Sequence, residues 1–246
     1  MKKLRIFFIA IISLVAFEAE AWYGVSPYAY CAGDPVNYVD PTGERTQAVL
    51  DSAGHYTIVG GDINDNDRNI YLMAYDQYGE LCNTGISIGR TPVMTSFYNS
   101  DTGEWAGSID SKDESGIMFL MDVYEESPNI IKYMMNAGNS TKDNYQKYDF
   151  KVTNGTGMQP GDLSIYRGMP IGYGADGVRI YTSARDIGNM VAGAVARRSG
   201  LPWSVARLGF DGYQGSVEGI SSQNAQRFGF NFSGSKYYHN YFNGKK

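Results

Sequence analysis

The sequence predicts an α+β fold, with an antiparallel β-sheet in the first half of the region after residue 44 and a helical hairpin near the C-terminus. Short apolar segments punctuated by turn residues fill positions 51–119, which is the pattern of strands and tight turns. After position 180 the apolar residues recur at three- and four-residue spacing behind a capping signal, which is the pattern of amphipathic helices. Glycine supplies 30 of the 246 residues without a three-residue period, so many turns are expected and collagen is excluded. The composition, 43% hydrophobic and 19% charged, is that of a globular chain rather than a disordered one.

Taken in order, Tyr56 to Gly61 and Asn69 to Tyr75 read as strands separated by Gly61–Asp67. Gln77–Gly79 and Ser100–Gly103 are turns, and Gly85–Ile88, Thr95–Tyr98 and Trp105–Ile109 fit strands between them. The loop with Asp62, Asn64, Asp65, Asn66 and Asp67 has two readings, a calcium loop or a solvated hairpin loop. The EF-hand template needs Gly where Asp67 stands and Glu where Met73 stands, which favours the solvated loop. Helix signals run from Ser115 to Gly138, with Ser127 as an N-cap before Pro128 and with Ile130, Ile131, Met134 and Met135 on one face. Those methionines read as core. Lys142–Gly161 reads as a polar linker.

The last elements carry the strongest local signals. Ser183-Ala-Arg-Asp186 has capping-box form, and Ile187, Met190, Val191, Ala194 and Val195 make an apolar stripe. Ser199-Gly200 ends that helix, and Pro202 opens a second one running to Asp211. So short a turn predicts an antiparallel hairpin. Gly188, Gly193 and Gly209 each cost about 1 kcal/mol inside a helix, an expense that close backbone packing or a closely approaching ligand would offset.

The N-terminus has the form of a secretory signal. Lys2, Lys3 and Arg5 precede an apolar stretch from Ile6 to Phe17, and Ala19-Glu-Ala21 supplies the small residues of a cleavage site. The apolar stretch is short for a membrane span. A secreted or periplasmic location after cleavage at Ala21 is therefore expected, with no transmembrane helix in the mature chain. Export would permit a disulfide between Cys31 and Cys82, although spacing alone does not pair them.

Residues 22–44 contain YAYCAGDPVNYVDPTG, with an aromatic Tyr-x-Tyr followed by Asp34-Pro35 and Asp40-Pro41-Thr42-Gly43. This segment resembles the end of the Rhs repeat-associated core domain. In that family the segment closes a large β-repeat shell and a variable C-terminal toxin follows it. The resemblance implies that the region after residue 44 is a toxin, with a cognate immunity protein as its partner. The repeat shell and the earlier half of the core signature do not stand before it, so the family's self-cleavage is not carried over. The run from Asp186 to Ala194, with Trp203, Arg207, Gly209, Asp211 and Gln214 after it, also resembles the polymorphic toxin type 44 family. That resemblance implies a secreted antibacterial ribonuclease. No catalytic assignment is transferred from it.

The expected organisation is thus a signal peptide (1–21), an Rhs-like remnant (22–44), an acidic β-rich region (45–160) and a basic helical and aromatic region (161–246). The overall charge of −5 argues against a nucleic-acid-binding chain, but it is unevenly spread. Residues 44–160 hold 17 acidic and 8 basic residues, whereas residues 161–246 hold 5 and 10. Arginines and aromatics crowd the second region, among them Phe228, Phe230 and Phe232. Such a mixture suits single-stranded nucleic acid, and equally a solvated basic face.

No P-loop or zinc signature occurs. The chemistry-bearing candidates lie on the predicted hairpin. Arg185, Asp186 and Asn189 fall within one turn, and Arg207, Asp211 and Gln214 share a face at i, i+4 and i+7. Brought together, Asp as base and Arg as charge stabiliser suit phosphodiester cleavage of a nucleic-acid substrate. Equally, Asp186 caps its own helix and Arg207–Asp211 is an ordinary intrahelical pair. No cofactor is assigned and the metal requirement stays open. The rival to a toxin nuclease is a non-enzymatic surface module or a degenerate Rhs cassette.

Overall fold

The computed structural model describes residues 46–138, 146–153, 165–174 and 176–233. The signal, the Rhs-like segment, Cys31, His239 and the aromatic tail after residue 233 lie outside the described residues. Residues Glu44–Lys246 constitute one compact unit.

Its first half is built from β1 (Thr46–Leu50), β2 (Tyr56–Gly60), β3 (Asn69–Tyr75) and β4 (Leu81–Arg90). Alternation explains the burial of β1, where Thr46 and Ala48 point inward while Gln47 and Val49 are less buried; in β3 the buried Ile70 and Met73 stand three residues apart, across register irregularities in the β3–β4 ladder. A 3₁₀ turn (Met94–Phe97) leads to the short strands β5 (Tyr98–Asn99), β6 (Glu104–Trp105) and β7 (Ser108–Ile109). Expectation and structure differ here, since Thr95–Tyr98 reads as a strand. Thr95, Ser96 and Phe97 are all buried in succession, which a strand with alternating faces does not allow.

Helices α1 (Ser115–Glu126), α2 (Ile130–Met134) and α3 (Phe150–Thr153) follow. Ser127 is not the N-cap of α2. It closes α1 in a left-handed conformation (φ 47°), and Asn129 caps α2 by accepting the Lys132 amide at 2.9 Å. Within the expected polar linker, Tyr148, Asp149 and Phe150 are buried, so its middle is core rather than loop. Then come β8 (Arg167–Tyr173), β9 (Arg179–Ser183), α4 (Ala184–Arg198), α5 (Trp203–Gln214) and α6 (Ile220–Ser233).

Seven strands close into a barrel in the order β1-β2-β7-β8-β9-β4-β3, completed by parallel pairing of β1 with β3. Antiparallel pairs dominate, and β7–β8 and β4–β9 are parallel. The barrel therefore draws strands from both sides of residue 160, and the acidic and basic regions are not separate bodies. Ala48, Ile58, Ile70, Phe97, Ile109 and Tyr181 form its core. A second core lies among the helices, around Phe119, Tyr133, Phe150, Ile187, Val195 and Phe210.

Helix α4 begins directly at the end of β9. Ser183 is its N-cap and accepts the Asp186 amide at 3.4 Å, as the capping box predicts. The stripe Ile187, Met190, Val191, Ala194 and Val195 is buried throughout. Its closest helical partner is α6, however, and not α5. A Cβ on Gly193 would stand 2.0 Å from the Gln226 carbonyl oxygen, and one on Gly229 would stand 1.9 Å from that of Met190. The two glycines thus let the backbones of α4 and α6 touch.

Candidate functional site

The elements meet around Arg185, the second residue of α4. Its Nε donates to Asp186 Oδ1 at 2.8 Å, and its terminal nitrogens donate to the carbonyls of Thr95 and Tyr98 and to the Tyr166 hydroxyl. The 3₁₀ turn thereby supplies the Thr95 carbonyl and the first residue of β5 the Tyr98 carbonyl. Asp186 is fully buried, and burial pushes its carboxyl above the usual aspartate range even beside Arg185. Burial works to lower the Arg185 guanidinium, but Asp186 and Tyr166 together hold it above its ordinary value.

One turn further, Asn189 Oδ1 accepts from Gln226 Nε2 on α6 at 3.3 Å. Gln226 is itself 2% exposed and joins three elements. Its Nε2 also donates to Glu218 Oε2 at 2.8 Å, and its Oε1 accepts from Arg207 Nη1 on α5. Arg207 in turn pairs with Asp211 one turn later and with Glu218 Oε2 at 2.6 Å. Arg207 and the Glu218 backbone N–H, which donates to Asp211 Oδ1 at 3.0 Å, hold the Asp211 carboxyl below the usual range. Two donors thus clamp Glu218 Oε2, and Oε1 has no hydrogen bond among the described residues.

Arg185, Asn189, Glu218, Gln226, Gln214 and Lys151 line a polar cleft with about 620 Å³ of empty space, part of it open to solvent. Its other walls include Tyr133, Tyr148 and Phe150, which are nearly fully buried, and the more exposed Tyr213. Tyr133 and Tyr148 stack with ring centroids 5.0 Å apart. Burial, with the hydrogen bond to Glu126, pushes the Tyr148 phenol up to about 12.

Of the residues expected from sequence, Arg185 and Asn189 reach the cleft wall. Arg207 and Asp211 stand behind it, tied to Glu218, and Asp186 is enclosed against Arg185. The convergence passes through α6 rather than across a simple hairpin. Glu218 and Gln226 are the residues that sequence reasoning missed. Glu218 follows the α5 C-cap Gly215 and belongs to no helical period, and Gln226 sits in a segment read for its aromatics.

The arginine–aromatic mixture is also resolved at the residue level. Arg197 lies over Phe230, Arg227 over Trp203, Arg198 over Tyr124 and Arg179 over Tyr181, with separations of 4.9–5.6 Å. Phe230 and Tyr181 are buried under their arginines, whereas Arg197 and Arg227 themselves are exposed. In the loop after β2, Asp62, Asp65 and Asp67 accept amides of their own loop. Among the described residues no cluster of His, Cys, Asp and Glu could hold a metal ion, and no helix is long and apolar enough to cross a membrane. In comparisons with known proteins, the chain matches no family model, no curated protein and no solved structure.

Proposed function

We propose that the chain is a secreted Rhs-type toxin whose C-terminal unit cleaves phosphodiester bonds of nucleic acid in competing bacteria, with a cognate immunity protein as partner. The Rhs-like segment at residues 22–44 supports the toxin class. The observation that carries the chemistry is Glu218: one carboxylate oxygen is oriented by Arg207 and Gln226, and the side chain lines a polar cleft. A carboxylate held this way is suited to act as a general base. In the proposed step Glu218 takes the proton of an attacking hydroxyl, from water or a ribose 2′-OH, as its oxygen bonds to phosphorus. The P–O bond to the leaving nucleoside breaks, and that oxygen is protonated from solvent. Asn189 and Lys151 line the same cleft and are suited to contact the phosphate.

Cytosolic expression of residues 44–246 tests the reading. Growth arrest with degraded RNA or DNA is expected, and E218Q or R207A at equal protein level should abolish it. Normal growth on expression of the unsubstituted chain would overturn the proposal and favour a non-enzymatic or degenerate Rhs module.

A further inference from the structure

We infer that the cleft takes its nucleic acid as a single strand, with one unpaired base against Tyr213 and the adjoining phosphate on Lys151; this rests on the phosphodiesterase reading above and specifies the form of its substrate. Tyr133, Tyr148 and Phe150 are each 2% exposed or less, so no ligand reaches their faces. Tyr213 is different. It is 40% exposed, and no hydrogen bond, ring partner or cation engages it among the described residues. Its Cε1–hydroxyl edge lies near Gly138, where a Cβ would stand 3.8 Å from Cε1, and the side chain also borders the apolar groove of Ile130, Met134 and Phe210. The side chain is thus partly packed and keeps an accessible part for a ligand.

Lys151 lines the same cleft and makes no ion pair among the described residues, unlike Arg207 and Arg185. Two amides complete the lining. Asn189 spends its oxygen on Gln226 and keeps both N–H donors, and the exposed Gln214 makes no side-chain hydrogen bond among the described residues. An accessible ring, a cation without a carboxylate and spare amide donors are the groups that stack a base, meet a phosphate and hydrogen-bond a base edge. A base inside a duplex has both faces covered by its neighbours and offers none to Tyr213. The ring therefore selects an unpaired base.

The test is fluorescence-anisotropy binding of the full-length E218Q chain, which separates binding from turnover. The probes are a labelled eight-nucleotide single strand and the blunt duplex of the same sequence, each as RNA and DNA. The single strand, in at least one of the two chemistries, should bind at least about tenfold more tightly than its duplex. Y213A should weaken it about 5- to 100-fold, with Y213F restoring it. K151A should lower the slope of log affinity against log salt by about one. Equal or tighter duplex binding, or unchanged binding by Y213A, overturns the inference. Should E218Q fail to fold, the unsubstituted chain's kcat/KM on single strand and duplex, with and without Y213A, gives the same comparison. Cleavage of duplex alone would sink the single-strand inference and leave the phosphodiesterase reading standing. Failure to cleave any nucleic acid would sink that reading itself.

Discussion

Arg207 holds Asp211, Glu218 and Gln226 in one arrangement, so its removal leaves two carboxylates facing each other with no counter-charge. R207A is expected to lose about 1–3 kcal/mol at neutral pH, the scale for leaving a buried acceptor, here the Gln226 amide oxygen, without its donor. Urea unfolding checks this. The pH dependence has a definite sign. Asp211 has a folded pKa below its unfolded value, so its contribution is present above the ordinary carboxylate range and is lost as pH falls through the folded value. The stability gap between the unsubstituted chain and R207A should therefore narrow in acid, and a gap constant from pH 7 to pH 3 would contradict the pairing. Tyr148 has the opposite sign. Its folded pKa near 12 exceeds the ordinary 10, so its contribution is complete below pH 10 and is lost between 10 and 12. Y148F should be the less stable chain at neutral pH and should lose that deficit across the same interval in denaturant titrations.

At the scale of elements, the contact between α4 and α6 decides where Gln226 stands. G193A or G229A would drive a methyl into a backbone carbonyl, so the helices must separate. Overpacking of this kind costs typically about 1–3 kcal/mol, and here it also displaces Gln226 from Asn189. Activity should fall together with the melting temperature. Gly209 and Gly212 of α5 offer the contrast, because a Cβ at either position meets nothing within 4 Å. G209A and G212A should each stabilise by about 0.5–1 kcal/mol, read as a rise of a few degrees in Tm. A loss of stability there would mean that α5 is not helical at these positions. Gly193 serves close packing, as one reading of its cost anticipates, whereas Gly188 and Gly209 have no neighbour that requires them.

At the scale of the molecule, barrel and helices share a chain path that crosses between them repeatedly. Strands β8 and β9 lie between α3 and α4, and Arg185 ties α4 to the carbonyls beside β5. Residues 44–246 should consequently unfold as one cooperative unit. Far-UV circular dichroism and the fluorescence of Trp105, packed against the barrel core, and Trp203 in the helices should give coincident urea transitions. Two separated transitions would show that barrel and helical layer fold independently. Ile70→Ala in the barrel and Phe210→Ala in the helices, both at buried positions, should each lower that single midpoint, at a cost of about 2–5 kcal/mol.

Local signals in the sequence were sufficient wherever the cause was local. The strand Asn69–Tyr75, the Ser183 cap with its buried stripe, and the break at Ser199-Gly200-Pro202 depend on β-prone apolar composition, capping and backbone restriction, which neighbouring residues impose by themselves. Residues 94–97 form a 3₁₀ turn whose Thr95 carbonyl meets the distant Arg185, and Tyr148 and Phe150 are buried in the helical core although their stretch reads as polar. Barrel closure, with β1 beside β3 and β4 beside β9, depends on pairings between strands far apart in the chain. The candidate site divides along the same line. Arg185, Asn189, Arg207 and Asp211 were legible because helical periodicity groups them, whereas Glu218 and Gln226 join them only through the contact of α4 with α6. Periodicity and capping act over a few residues, but which carboxylate faces a cleft is decided by which surfaces pack, and that was left to the tertiary structure.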